Sequence, residues 1–301
     1  LSSWYPNRIE PLQGNFIQRH AEAVSEFSDV ASLYVCPDSK LIDKLFDVEI
    51  KKEKNVFSVN VYYRKVKSSV PIFSLLTKYF RQRAALTKGF HEIQKYFGTK
   101  PDIIHLNVVL PAGFFALRLK KLFNIPFIIT EHSTEYHIKM KTRRLLVTKM
   151  ICSQASLICP VSENLKQTMQ ECGIENNFEV VPNVVDTNLF RIAETRTKGK
   201  KKIIHISTLK EWHKNVRGML RVIKKLSEIR KDFELHIISD GDISLATEIS
   251  KEYGLLDKII FIYPAQTLEK VAEMLRDSDL FLLFSNVETF SCVIIEALAS
   301  G

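Results

Sequence analysis

Short apolar runs rich in β-formers alternate along this chain with longer stretches whose apolar positions recur every three or four residues. In the first part the short runs are 29–36, 57–63, 102–109, 126–130, 156–160 and 178–182. Residues 57–63 (FSVNVYY) alternate apolar with polar and predict a half-exposed strand. Phe16, Ile17, His20, Ala23, Val24 and Phe27 form one face of a helix over 15–27. Longer helices are predicted over 72–97 and 138–153. Alternation of this kind predicts an α/β domain with a parallel sheet.

The pattern breaks at 191–202 (RIAETRTKGKKK), which is polar, basic and without apolar period. It reads as a linker, placing a first domain over 1–190 and a second over 191–301. A second series follows it: strands over 202–208, 233–239, 258–263 and 279–285, helices over 215–230, 243–253, 268–276 and 290–300. The strand runs here, such as IIFIY and LFLLFS, are almost wholly apolar, as expected where helices cover both faces of a parallel sheet. The expectation is two doubly wound domains in tandem with a cleft between them. Ligands in such sheets bind beyond the carboxyl ends of the strands.

Composition narrows this picture only a little. The 301 residues are 46% hydrophobic and 26% charged, ordinary values for about two soluble globular domains. No apolar run reaches the roughly 18 residues of a membrane span. LSSWYPN is not a signal peptide, and the chain is expected to be truncated at both ends. The net charge of +9 favours acidic partners: phosphates, nucleic acid or an anionic membrane surface. The positives sit in short clusters such as Arg81/Arg83 and Lys120/Lys121, without interleaved aromatics, so no nucleic-acid partner is expected. Five cysteines with no CxxC pair argue against a zinc ribbon or a disulfide framework and suit a reducing cytoplasm. No G-x-G-x-x-G follows a first strand, which disfavours a nicotinamide enzyme.

The candidate chemistry lies in the last seventeen residues, SNVETFSCVIIEALASG. A strand, a short loop and a helix place unpaired amides near Phe290–Cys292, a ready site for a phosphate. Glu288 lies in the loop, and Glu296 follows about two turns into the helix. The two carboxylates either hold opposite ends of one phosphorylated ligand or are a cap-side and a solvated helix glutamate. Spacing alone does not choose.

The stretch resembles the nucleotide-sugar motif of retaining glycosyltransferases of family 4, which have the GT-B fold of two Rossmann-like domains. Ser285, Glu288, Thr289, Phe290, Glu296, Ala297, Ala299 and Gly301 match it; Ser291 stands where glycine is usual. VVPNVVDTNLF resembles the interdomain segment of that family, with Val184 in place of glycine. HISTLKEWHKNV resembles its diphosphate-binding segment, where Lys214 matches the lysine and Thr208 falls near the missing arginine. Lys210 and Arg217 are the candidate substitutes. SDGD retains Gly241 of a glycine turn, PLQGNF retains Gly14 of the loop after the first strand, and TEHS supplies His132.

The resemblance implies a second domain incomplete at its C-terminus. It implies catalytic roles for Glu288, His132 and Lys214. It also implies donor contacts from Gly14, Lys214, Gly241, Glu288, Thr289, Phe290, Ser291, Cys292 and Glu296, with Glu288 on the sugar and Glu296 on the ribose. The donor implied is a nucleotide-sugar, UDP- before GDP- or ADP-. The acceptor is a glycan or a lipid-linked one at the inner face of a membrane, in cell-envelope polysaccharide synthesis. No cofactor or metal is expected: Asp240/Asp242 and Asp277/Asp279 read as turn and helix-to-strand residues. Two rivals remain, a nucleotide-sugar epimerase of the same shape and a catalytically silent scaffold that binds nucleotide-sugar. His205 and His236 read as packed strand residues and His213 as exposed.

Overall fold

The computed structural model describes residues 1–65, 71–138, 140–193 and 199–301. The middle of the expected linker, 194–198, lies outside them. The chain divides into two compact units, Leu1–Val184 and Val185–Gly301.

The first unit runs α1 (Asn15–Val24), β1 (Val30–Asp38), β2 (Phe46–Glu53), β3 (Val56–Arg64), α2 (Pro71–Phe97), β4 (Ile104–Asn107), α3 (Gly113–Phe123), β5 (Phe127–Glu131), α4 (Thr142–Cys152), β6 (Leu157–Pro160) and α5 (Glu163–Glu171). Strands β1 and β3 pair in parallel, and so do β4, β5 and β6. Residues 1–3 run between the two sheets. Ser2 N–H donates to the Leu33 carbonyl, Asn107 N–H to that of Leu1, and Ser3 N–H to that of Asn107. One layer results, in the order β2-β3-β1-(1–3)-β4-β5-β6.

Strand β2 departs from the expected parallel pattern, because it pairs antiparallel with β3. Lys54 and Asn55 join the two with φ of 44° and 63°, the left-handed geometry of a two-residue hairpin. Its alternation of Phe46, Val48 and Ile50 with Asp47, Glu49 and Lys51 was the available signal. The many charges that hide it are those that protect an edge strand from pairing with other chains. The run at 178–182, expected as a strand, is an extended segment beside β6. Ile158 N–H donates to the Asn177 carbonyl, Glu179 N–H to that of Ile158, and Val181 N–H to that of Pro160.

The second unit runs β7 (Lys201–Ile206), α6 (Glu211–Lys214), α7 (Val216–Ile229), β8 (Phe233–Ile238), α8 (Ser244–Glu252), β9 (Ile260–Tyr263), α9 (Leu268–Arg276), β10 (Leu280–Phe281) and α10 (Cys292–Ala299). Its sheet is parallel throughout, in the order β10-β7-β8-β9. Ile203, Leu235 and Ile237 pack on Met219, Leu220 and Ile223 of α7. Their neighbours Ile204 and Ile238 pack on Val271, Ala272 and Leu275 of α9, together with Phe190. Both faces are covered, which explains the mostly apolar strands, although β8 still alternates, with Glu234 and His236 half-buried between Phe233, Leu235 and Ile237. Strand β10 is shorter than the predicted 279–285, although Leu282 N–H still donates to the Ile204 carbonyl.

No disulfide links the five cysteines. Among the described residues no helix is long and apolar enough to cross a membrane, and no group of three or more His, Cys, Asp or Glu could hold a metal ion.

Candidate functional site

In the second unit the carboxyl ends of the strands bring several candidates together. Thr208–Lys214 follows β7, and Asn286–Ser291 leads into α10. The two loops are tied through backbone groups: Asn286 N–H donates to the His213 carbonyl (2.8 Å), and Asn286 Nδ2 to that of Trp212 (3.1 Å). Across this junction Lys214 Nζ meets Glu288 Oε1 at 2.5 Å. The side chains are 12% and 27% exposed, so the pair is shielded yet reachable from solvent. Ser291 N-caps α10 without a side-chain bond to the helix. Glu296 sits one face round on α10 and is 4% exposed, so it is not a solvated helix glutamate.

His205 of β7 is fully buried and feels both charges of the ion pair. Its Nδ1 is 2.8 Å from the Leu282 carbonyl and its Nε2 is 2.7 Å from Ser207 Oγ, which also accepts from Leu209 N–H. Nδ1 donates, Nε2 accepts, and the chain of bonds is complete with a neutral ring. Burial holds its pKa below the usual value. His213, expected to be exposed, is half-buried. Its ring stacks on Trp212 (centroids 4.9 Å apart), and its Nε2 is buried without a hydrogen-bond partner. Burial, with the Lys214 charge next, lowers its pKa. Lys210 contributes in the same direction.

Gly241 has a steric reason to be glycine. A Cβ there would lie 2.0 Å from the Thr208 carbonyl oxygen. The turn after β8 therefore presses directly on the loop after β7, and Gly241 N–H is held by Ser239 Oγ at 3.0 Å.

Gly14 and His132 belong to the first unit. Gly14 precedes α1 with φ of 66°, and a Cβ would come within 2.8 Å of the Trp4 carbonyl carbon. Phe16, in the first turn of α1, lies 4.7 Å from the His132 ring. His132 Nε2 is 3.4 Å from Asn107 Oδ1, and His20 stands edge-on at 6.1 Å. Burial pushes the His132 pKa well down, with the charges of His20 and His105 adding to it. The ring is neutral at pH 7.

Glu131, a residue not singled out from the sequence, organises this corner. It is 1% exposed. Its Oε1 accepts from the N–H groups of His132 and Ser133, both at 2.9 Å. Its Oε2 accepts from Val109 N–H at 3.2 Å and Tyr136 O–H at 3.0 Å. A buried carboxylate thus fixes the loop carrying His132 to the end of β4. The sequence signal was the acidic residue inside TEHS, at the end of an otherwise apolar strand.

Two family profiles match the chain: Glycosyltransferase Family 4 over residues 46–189 and Glycosyl transferases group 1 over residues 186–301. The chain is 26% identical over 214 residues to N-acetyl-alpha-D-glucosaminyl L-malate synthase of Bacillus anthracis, a match to 66% of this chain and 55% of that protein. The chain thus spans little more than half the length of that curated relative. Its fold is similar to that of sucrose-phosphate synthase from Thermosynechococcus elongatus, with a TM-score of 0.69 and 16% identity over 94% of this chain and 72% of that one. A trehalose-6-phosphate structure from E. coli bound with UDP-2-fluoro glucose gives a TM-score of 0.66 and 15% identity over 99% and 80%. At these identities the two structures speak for the fold, two Rossmann-like domains of the GT-B class.

Proposed function

We propose, for a chain that belongs to the glycosyltransferases built from a family 4 and a group 1 domain, that the whole protein moves a sugar from a nucleotide-sugar to a glycan or lipid-linked acceptor. Configuration at the transferred carbon is retained, and no metal takes part. The observation that carries this reading is the Lys214–Glu288 pair beside the start of α10. A lysine and helix amides stabilise the negative charge that grows on a leaving diphosphate. A carboxylate next to them orients the hydroxyls of the departing sugar. The UDP-sugar in the E. coli neighbour supports a UDP donor, with GDP and ADP as alternatives.

In this mechanism the bond from the anomeric carbon to the diphosphate breaks with its electron pair leaving on phosphate oxygen. The acceptor hydroxyl attacks from the same face and gives its proton to that oxygen. Glu288 holds sugar hydroxyls and is not a covalent nucleophile. Lys214 and the amides about Thr289–Cys292 receive the phosphates, and Gly241 keeps the neighbouring turn close. Glu296 takes the ribose. Gly14 and the neutral His132, in the first unit, serve the reacting end.

The second partner proposed is an anionic membrane surface, with the protein peripheral on its cytoplasmic side. Support comes from the N-terminal half of α2. It exposes Phe73, Leu76, Tyr79 and Phe80 beside Lys78, and no acidic residue occurs from 71 to 91.

The test is nucleoside diphosphate release by the complete protein, given UDP-, GDP- and ADP-sugars with a membrane lipid extract. Release with one donor is expected, falling by about 10²–10³ in Lys214→Ala and Glu288→Ala. Undiminished release in both folded variants would remove the basis of this assignment.

A further inference from the structure

Trp212 is an unusual residue to leave in the open. Its side chain is 53% exposed on the four-residue helix α6. Tryptophan offers a large flat apolar face and normally buries it or keeps it for a ligand. Here Trp212 is also anchored at its backbone and packed on one side of its ring. Its carbonyl is bound by Asn286 Nδ2, and its ring lies nearly parallel to that of His213, with 15° between the planes. His213 is fixed in turn by its carbonyl, which accepts from Asn286 N–H. A ring already stacked on its neighbour has less rotamer freedom to lose on binding than a free surface side chain, which favours it as a contact.

The neighbours define what would fit. Two residues along the chain, Lys214 pairs with Glu288, and the Asn286–Glu288 loop is the same loop that clamps Trp212 and His213. An exposed indole and a half-buried carboxylate therefore share one small rigid assembly. That combination is complementary to a pyranose ring. Such a ring has a C–H face that packs on an aromatic plane and a rim of hydroxyls that donate to a carboxylate. A flat base would use the indole but has no hydroxyl rim for the carboxylate.

We propose that Trp212 is a stacking platform for a sugar ring at the rim of the Lys214–Glu288 site and contributes to the choice of sugar. This deepens the transferase reading and rests on it. The ring belongs either to the donor sugar or to the acceptor glycan, and the two are separable by experiment.

The chain has two tryptophans, Trp4 and Trp212, so the wild-type emission minus that of Trp212→Phe isolates Trp212. The complete protein is titrated with UDP, with UDP-sugars and with glycan acceptors, and binding is followed by calorimetry in parallel. A donor platform gives a Trp212 emission change with a UDP-sugar that UDP alone does not produce. An acceptor platform gives that change with the glycan. In either case Trp212→Ala raises KM for the sugar-bearing substrate about five- to tenfold and leaves UDP affinity unchanged, while Trp212→Phe recovers most of the loss. KM values within about twofold of wild type in Trp212→Ala, with nucleotide-sugar binding intact, overturn the platform and leave the transferase reading standing. Absence of any nucleotide-sugar binding by the wild type overturns both.

Discussion

Removing the Glu131 carboxylate tests whether that buried group is the anchor of the His132 loop. In Glu131→Ala four donors lose their acceptor: the N–H groups of Val109, His132 and Ser133 and the Tyr136 hydroxyl. Each buried donor left unmade costs about 1–3 kcal/mol. Four at the lower bound give about 4 kcal/mol. The upper bound is not reached, because water can enter the space of the lost side chain and satisfy some of them. A loss of about 4–6 kcal/mol is expected. Glu131→Gln separates charge and hydrogen bonding from shape. The amide oxygen can still accept from His132 and Ser133, and the Tyr136 hydroxyl can rotate to accept from the new NH₂. Val109 N–H cannot reverse, so one donor faces another and about 1–3 kcal/mol is lost. The assay is urea unfolding in a Trp212→Phe background, where Trp4, packed beside Tyr5 and Ile17, reports the first unit. Wild type, Glu131→Gln and Glu131→Ala should unfold at successively lower urea with similar slopes. A Glu131→Ala unfolding free energy within about 0.5 kcal/mol of wild type would refute the anchoring role.

Three further outcomes are expected. Gly241→Ala forces apart two loops in backbone contact; it should cost about 1–3 kcal/mol and weaken nucleotide-sugar binding in calorimetry, and unchanged binding would count against the packing of the two turns. Burial lowers the pKa values of His132, His205 and His213, so below about pH 6.5 the unfolded chain binds protons that the folded chain refuses. That term makes stability fall as pH drops from 6.5, so the urea midpoint should be lower at pH 5.5 than at 7.5, and His205→Gln should flatten the difference. Phe80→Glu should reduce cosedimentation with vesicles containing anionic phosphatidylserine while leaving Trp emission unchanged; equal sedimentation would exclude that face of α2 as a membrane contact.

The sequence by itself determined most of the elements and their order, though not helices α3, α5 and α6. A continuous apolar run such as LFLLFS declares itself a doubly covered strand, and the helical face of α7 is written in Val216, Met219, Leu220 and Ile223. The NVETFS loop and its following helix were legible for the same reason, since strand, turn and helix are adjacent in the chain. Strand β2 was not, because an edge strand is half polar and its charges mask its alternation. What only the tertiary structure decided are the contacts between residues far apart. Lys214 meets Glu288 across 74 positions, and Glu131 reaches back 22 positions to Val109. Gly241 is close to Thr208 because β7 and β8 lie side by side in parallel, delivering their following turns to the same edge. Burial, too, is a property of the fold. Glu296 and His213 carry nothing in their spacing to say that one is enclosed and the other stacked, since exposure is set by whatever the rest of the chain brings against them.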